Sequence, residues 1–420
     1  MLHHIKIVDV WGRQVLDSRG LPTVEATVWV ENADKGGIYS GKAMVPSGAS
    51  TGIFEAVELR DGREEYMGKG VLQAVNYIAE EIKPMLLGKT ATNQSEIDRS
   101  MCMLDGTKEK GRLGANSILA VSLAAARAAS QALHLPLYRY LGGMQAKTMP
   151  IPMMNILNGG AHAQNSLDVQ EFMILPTGAA SLQEGIRWCV EIYHCLKSLL
   201  KAKGLATAVG DEGGFAPDLE SEIAAIDFIM EAITRTGLKP GKDMMISLDV
   251  AASEWKSKKK GIYELPKQKR KYSTEELITE WVDIADKYPI YSFEDPLEEE
   301  DWEGWQELTK RISKHVLLVG DDLFVTNQKR LQQGIEKGCA NAILIKPNQI
   351  GTLSETIETV RLAQKKGYKT IMSHRSGETE DTFISDLAVA LNTDLIKTGA
   401  PARGERTAKY NRLMEIEFEK

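Results

Sequence analysis

The sequence predicts an α/β protein: a (β/α)8, TIM-like barrel of ββαα(βα)6 topology behind an N-terminal α+β domain. Three observations carry this reading. Strand-like and helix-like segments alternate six times from residue 244 onward in the 420-residue chain. Two further strands and two helices precede that alternation, which brings the strands to eight. Each of the last six strands ends on a polar or charged residue, as the mouth of a barrel enzyme requires. The domains are expected over residues 1–140 and 141–420, the second close to the ~250 residues typical of a barrel. An open doubly wound sheet is the runner-up, but no G-x-G-x-x-G fingerprint supports it.

The elements follow in order. Residues 5–16 and 23–30 alternate apolar and polar side chains like strands, and 43–46 closes a third. Residues 47–52, Ser-Gly-Ala-Ser-Thr-Gly, read as a flexible loop. Helical periodicity covers 71–87, 93–104 and 115–133, and strands followed by helices suggest a small α+β unit. It ends near the Gly142-Gly143 pair. Strands at 150–156 and 168–175, joined by a short loop, are expected to pair antiparallel. Helices at 181–203 and 220–236 follow, with a Gly-rich stretch between them. The remaining strands are 244–248, 290–293, 316–319, 342–345, 370–372 and 394–396, with helical patterns such as 274–287 and 353–366 after them. Residues 256–271 carry eight basic residues and one glutamate and read as a solvated insertion. The acidic stretch from Glu298 to Asp301 reads as a helix start, where negative charge suits the dipole. The dispersed tryptophans are expected to pack in cores.

Composition excludes several classes. With 43% hydrophobic and 26% charged residues the chain is neither disordered nor low-complexity. A net charge of −7 argues against general nucleic-acid binding. Four cysteines without a C-x-x-C pair suggest reduced thiols in the cytoplasm rather than a disulfide or zinc framework. Asp9, Arg13, Asp17 and Arg19 stand where a signal peptide needs an apolar stretch. No uncharged apolar run approaches the ~20 residues of a membrane span.

The strand ends carry the chemistry. Asp249, Glu294 and Asp321 terminate three consecutive strands, and hard oxygen ligands of this kind favour Mg²⁺ or Mn²⁺ over zinc. The next three strands end at Lys346, at Ser373-His374-Arg375, and at Lys397. One half of the mouth is therefore expected to be a carboxylate cluster and the other basic, with a metal and an anionic substrate between them. The competing reading pairs the carboxylates with the lysines, without metal. A second carboxylate pair comes from Glu171 and from Glu212 in Gly210-Asp211-Glu212-Gly213-Gly214. One such group can raise the other's pKa so that it stays protonated and donates. His162 adds a polar group on a loop.

These residues lie in long stretches that resemble enolase. The stretches are Val45-Pro46-Ser47-Gly48-Ala49-Ser50-Thr51-Gly52, the run from Met154 to His162, the Glu212 loop, and Leu248-Asp249-Val250-Ala251-Ala252-Ser253-Glu254. Glu294-Asp295-Pro296 and Val319-Gly320-Asp321-Asp322 follow. The most specific are the run from Ile345 to Gly351 and the run from Ser373 to Asp381. The resemblance spans nearly the whole chain and is to bacterial-type members.

It implies the reversible, Mg²⁺-dependent dehydration of 2-phospho-D-glycerate to phosphoenolpyruvate, in glycolysis and gluconeogenesis. By matching positions it makes Lys346 the general base and Glu212 the general acid, supported by Glu171, with His374 in the same catalytic set. It gives Asp249, Glu294 and Asp321 to a first Mg²⁺ and Ser50, on a lid loop, to a second. It gives Arg375 and Ser376 to the phosphate and Lys397 to the carboxylate, with Gln170 and His162 lining the pocket. Lys346 must be neutral to act, and Lys397 and Mg²⁺ are expected to lower its pKa. The resemblance also implies a homodimer or an octamer, and a cytoplasmic protein with a possible secondary place at the cell surface, or outside without a signal peptide, and host-protein binding there.

Leu21, Ile53-Phe54, Arg63 and Gln164 depart from the usual pattern at positions outside the catalytic set. Two other classes compete. A sibling racemase or cycloisomerase usually draws its base from Lys-x-Lys on the second barrel strand, where this chain has Gln170-Glu171. A non-enzymatic binding protein could tolerate loss of Lys346 or Glu212, and both are present.

Overall fold

The strand alternation near the N-terminus builds a sheet with one apolar face. A computed structural model describes residues 4–48 and 52–420. Strands β1 (Ile5–Leu16), β2 (Pro22–Asn32) and β3 (Ile38–Met44) pair antiparallel in that order. Val24, Ala26, Val28 and Val30 alternate along β2 and are fully buried. Trp11, by contrast, is 59% exposed beside Trp29, so this tryptophan is not the core residue expected of it.

Helices α1 (Leu72–Tyr77) and α2 (Lys83–Leu86) flank a π-helical segment, Ile78–Ile82, where the periodicity suggests one helix. The amide of Lys83 reaches back five residues to the Ile78 carbonyl. Pro84 follows, with no N–H to donate and a ring that crowds the carbonyl four residues back, and the wider turn relieves that conflict. Helix α3 (Gln94–Asp105) and the Ala-rich α4 (Ala115–Ala132) complete the layer, with α5 (Leu137–Gly142) after them.

Gly41 of β3 allows α4 to sit directly on the sheet. A Cβ there would fall 2.2 Å from the Ala128 nitrogen and 2.3 Å from the Ala124 carbonyl oxygen. Both neighbours are backbone, which cannot swing aside. Gly41→Ala is expected to cost about 2–3 kcal/mol through overpacking. A lowered thermal midpoint would show it, and an unchanged midpoint would mean that α4 shifts freely.

The barrel starts with β4 (Ile151–Asn158), β5 (Glu171–Leu175), α6 (Leu182–Ala202) and α7 (Glu222–Arg235). It continues with β6 (Met245–Asp249), a hairpin β7 (Ile262–Glu264) and β8 (Lys271–Ser273), and α8 (Thr274–Lys287). Then come β9 (Ile290–Glu294), α9 (Trp302–Ile312), β10 (Leu317–Gly320) and α10 (Gln328–Lys337). The last elements are β11 (Ala342–Ile345), α11 (Pro347–Ile350), α12 (Leu353–Lys365), β12 (Lys369–Ser373), α13 (Phe383–Ala390), β13 (Leu395–Lys397) and α14 (Gly404–Glu419).

The barrel closes in the order β10-β11-β12-β13-β4-β5-β6-β9. Only β5 runs against both neighbours. Its reversal matters: the first residue of β5, Glu171, lies in register with Asn158 and Asp249, the last residues of β4 and β6. Met153, Met173, Leu175, Val319, Ala342, Leu344, Ile371 and Leu395 fill the interior below that rim. The hairpin β7–β8 occupies the basic insertion, and Ser273 caps α8 with a capping box completed by Glu276.

The N-terminal layer docks on the same rim. Ser47 and Gly377 exchange backbone hydrogen bonds of 2.8 Å, and Arg127 grips Asp381 through two bonds of 2.7 Å. No single described helix is long and apolar enough to cross a membrane.

Candidate active site

The strand ends converge on one polar pocket. Of the residues singled out in the sequence, all line it except two. Glu294 lies behind the Lys397 ammonium, 1% exposed. Ser50 lies outside the described residues.

Carboxylates and lysines are not arrayed as facing halves. Lys397 reaches across the mouth from β13 and donates to Asp249 Oδ2 and both Glu294 oxygens, each at 2.9 Å. It also lies 3.3 Å from Glu171 Oε1. Lys346 donates to Asp321 Oδ2 at 2.5 Å. Both lysines are thus paired with carboxylates, because a buried charge needs an opposite partner. Asp249, Glu294 and Asp321 do not form one of the close carboxylate groups; the described ones are Asp295-Asp321-Asp322 and His162-Glu171-Glu212, each within 4.8 Å.

The pocket nevertheless carries more carboxylates than its cations satisfy. Burial and Asp249 push Glu294 well above the usual carboxylate range. Burial, Asp322 and Asp321 do the same to Asp295, and burial with Asp321 pushes Asp322 up to about 8. Glu171 Oε2 and Gln170 Oε1 are buried without a hydrogen-bond partner. Oxygen donors crowded until they hold protons fit a hard divalent cation, which would let them ionise. Asp295 fits such a role least. Both its oxygens accept backbone bonds, from Asp321 at 3.0 Å and Asp322 at 2.7 Å, so it shapes the turn that presents Asp321.

Lys346 departs from the expectation of a lowered pKa. Burial works to lower it, and Arg375 and Lys397 add to that, but Asp321 together with Glu294 acts the other way, and the net direction is up. Gln349 fixes this pair: its Nε2 donates to Asp321 Oδ1 at 2.9 Å, and Thr326 bridges its Oε1 to the Lys346 amide.

The opposite wall holds Glu171, Glu212, His162 and His374. Glu212 tops a turn that requires glycine. Gly213 has φ +86°, and a Cβ on Gly214 would run into Asn158 Oδ1. Asn155 donates to Glu212 Oε2 at 3.1 Å. Burial and Glu212 drive Glu171 well above the usual range. Burial also acts to raise Glu212, but His374, His162 and Arg406 outweigh it and hold Glu212 low. Burial pushes His374 down to about 4, so its ring is neutral. Its Nδ1 accepts from Arg406 at 2.7 Å, which leaves the Nε2 hydrogen facing Glu212 Oε2 at 3.4 Å. His374 therefore supports Glu212 through an N–H dipole rather than a full charge.

Arg375 is forked on Glu55, with contacts of 2.9 and 3.3 Å. The two carboxylate oxygens on the guanidinium fork stand where two oxygens of a bound phosphate would. Glu55, Gln349 and Arg406 were not legible as site residues. Glu55 has a faint signal, a lone acid among Ile53, Phe54, Ala56 and Val57. Arg406 has none, because it reaches the site from α14. Phe54, one of the departures, stacks on the Arg330 guanidinium at 3.9 Å.

Two family models match the chain. Residues 7–141 match the enolase N-terminal domain, and residues 146–420 match the enolase C-terminal TIM barrel domain.

Proposed function

We propose that this chain, which belongs to the enolase family, catalyses the reversible, Mg²⁺-dependent dehydration of 2-phospho-D-glycerate to phosphoenolpyruvate. The observation that carries the reading is the placement of base and acid. Lys346 follows β11, and Glu171, grouped with the acid Glu212, opens β5; these strands lie diametrically opposite in the closed barrel. A three-carbon acid held between them presents its C2 proton to one wall and its C3 hydroxyl to the other. An elimination needs that arrangement, whereas epimerisation does not need a proton donor for a leaving hydroxyl.

Lys346 takes the C2 proton. Glu212 delivers a proton to the departing hydroxyl, and Glu171, within 4.8 Å and pushed by burial toward its protonated form, supports it. His374 and His162 flank this pair. Arg375 and Ser376 hold the phosphate, which takes the place of Glu55 on the arginine fork. Lys397 and Gln170 hold the carboxylate end. Asp249, Glu294 and Asp321 would hold a first Mg²⁺, and Ser50 a second. Bound there, the metal supplies positive charge to the substrate carboxylate as negative charge builds on it. As a ligand, Asp321 would be drawn away from Lys346, which would then lack the partner that favours its protonated form.

The same reading includes a cytoplasmic homo-oligomer, a dimer or octamer; exposed Trp11, Leu16 and Ile38 on the first sheet support self-association. Purified protein with Mg²⁺ and 2-phosphoglycerate is expected to form phosphoenolpyruvate, followed by ultraviolet absorbance, and a chelator is expected to stop it. Failure of the metal-loaded protein to turn over substrate would overturn the reading.

A further inference from the structure

The basic insertion between β6 and α8 is not solvated throughout. Lys258, Lys259, Lys260, Lys269 and Arg270 are exposed, but Lys267 turns inward. Its Nζ donates to the Gly160 carbonyl at 2.7 Å, the Ala163 carbonyl at 2.8 Å and Asn165 Oδ1 at 3.3 Å. An ammonium has three donors, and here all three meet neutral oxygens. No carboxylate lies within ion-pair distance of it among the described residues. The lysine is itself held in place: its amide and that of Gln268 donate to the two oxygens of Asp168 at 2.8 and 2.9 Å.

The two carbonyls flank His162. That residue sits on a single helical turn, Gly160–His162, in the loop between β4 and β5. Its side chain is only 6% exposed, with Nδ1 3.8 Å from Glu171 Oε1 and 3.9 Å from Glu212 Oε1. Yet Nδ1 makes no hydrogen bond. No hydrogen bond from Nδ1 fixes the ring, so its place depends on the backbone that carries it.

We propose that Lys267 is a positioning residue for the reaction: it staples the turn on both sides of His162 and so sets the imidazole against Glu171 and Glu212. This rests on the proposed dehydration, in which His162 lines the substrate pocket. In the full chain, Lys267→Met is expected to lower kcat/KM for 2-phosphoglycerate about tenfold, mainly through KM. The loss is expected to vanish in a His162→Ala background, because a residue acting through His162 has nothing left to position. Amide exchange over residues 159–166 is expected to quicken, with the rest of the barrel unchanged. Lys267→Gln, which keeps a donor for one carbonyl, replaces the methionine variant should that fail to fold.

Additive losses in the double mutant, or unchanged exchange over 159–166, would overturn the proposal. An inactive wild-type protein would instead defeat the proposed reaction, and the exchange measurement would still decide whether Lys267 holds the turn.

Discussion

Lys346→Ala is expected to abolish both proton exchange at carbon 2 and net dehydration, by about a thousandfold or more, since the proposed base is gone. The C2 proton is very weakly acidic because it lies beside a carboxylate. Among the described lining residues, the other amine, Lys397, is held by Asp249 and Glu294, and His162 and His374 sit with Glu212. The variant also strips Asp321 of its partner, so its thermal midpoint must be recorded in parallel. An unfolded variant would be uninformative by itself, and Lys346→Gln, which keeps a donor for Asp321 but no basic amine, then decides the point. Exchange that persists in a folded variant would show that the base lies elsewhere.

Glu212→Gln is expected to separate the two half-reactions. Dehydration should fall by about a hundredfold or more, because no proton reaches the departing hydroxyl. Exchange at carbon 2 should survive in part, because Lys346 stands on the far wall. The amide oxygen of glutamine still accepts from Asn155, so the turn at 210–214 keeps its hydrogen bond. Removing the Glu212 charge also relieves the like-charge pressure on Glu171, whose carboxyl should then titrate lower than before. Equal loss of exchange and dehydration in each of the two variants would contradict the division of labour between base and acid.

Much of the fold was legible because its signals are local. Valines and alanines alternating along β2 mark a strand with one buried face whatever lies beyond it. The boundary of β1 at Ile5 and Leu16 is the one the alternation predicts. The break in the helix at 78–82 was not seen, although Pro84 announces it, since the apolar periodicity runs on through the proline. The basic insertion was read as solvent-facing because charge composition reports an average. It cannot single out Lys267, whose three acceptors lie 102 to 107 residues away in the chain.

The candidate site divides in the same way. Strand-end position is a local property, so the sequence by itself determined that Asp249, Glu294, Asp321, Lys346 and Lys397 would share one rim. Glycines around Glu212 likewise announced a turn that no other residue type could make. What only the tertiary structure decided is which charge faces which. Lys397 crosses the mouth to Asp249 and Glu294, Lys346 settles on Asp321, and Glu171 is pushed up while Glu212 is held low. Those outcomes depend on burial and on distances of a few ångströms between residues far apart in sequence. Residue type and spacing carry no information about either, because electrostatic energy in a buried site is set by separation and desolvation rather than by order along the chain.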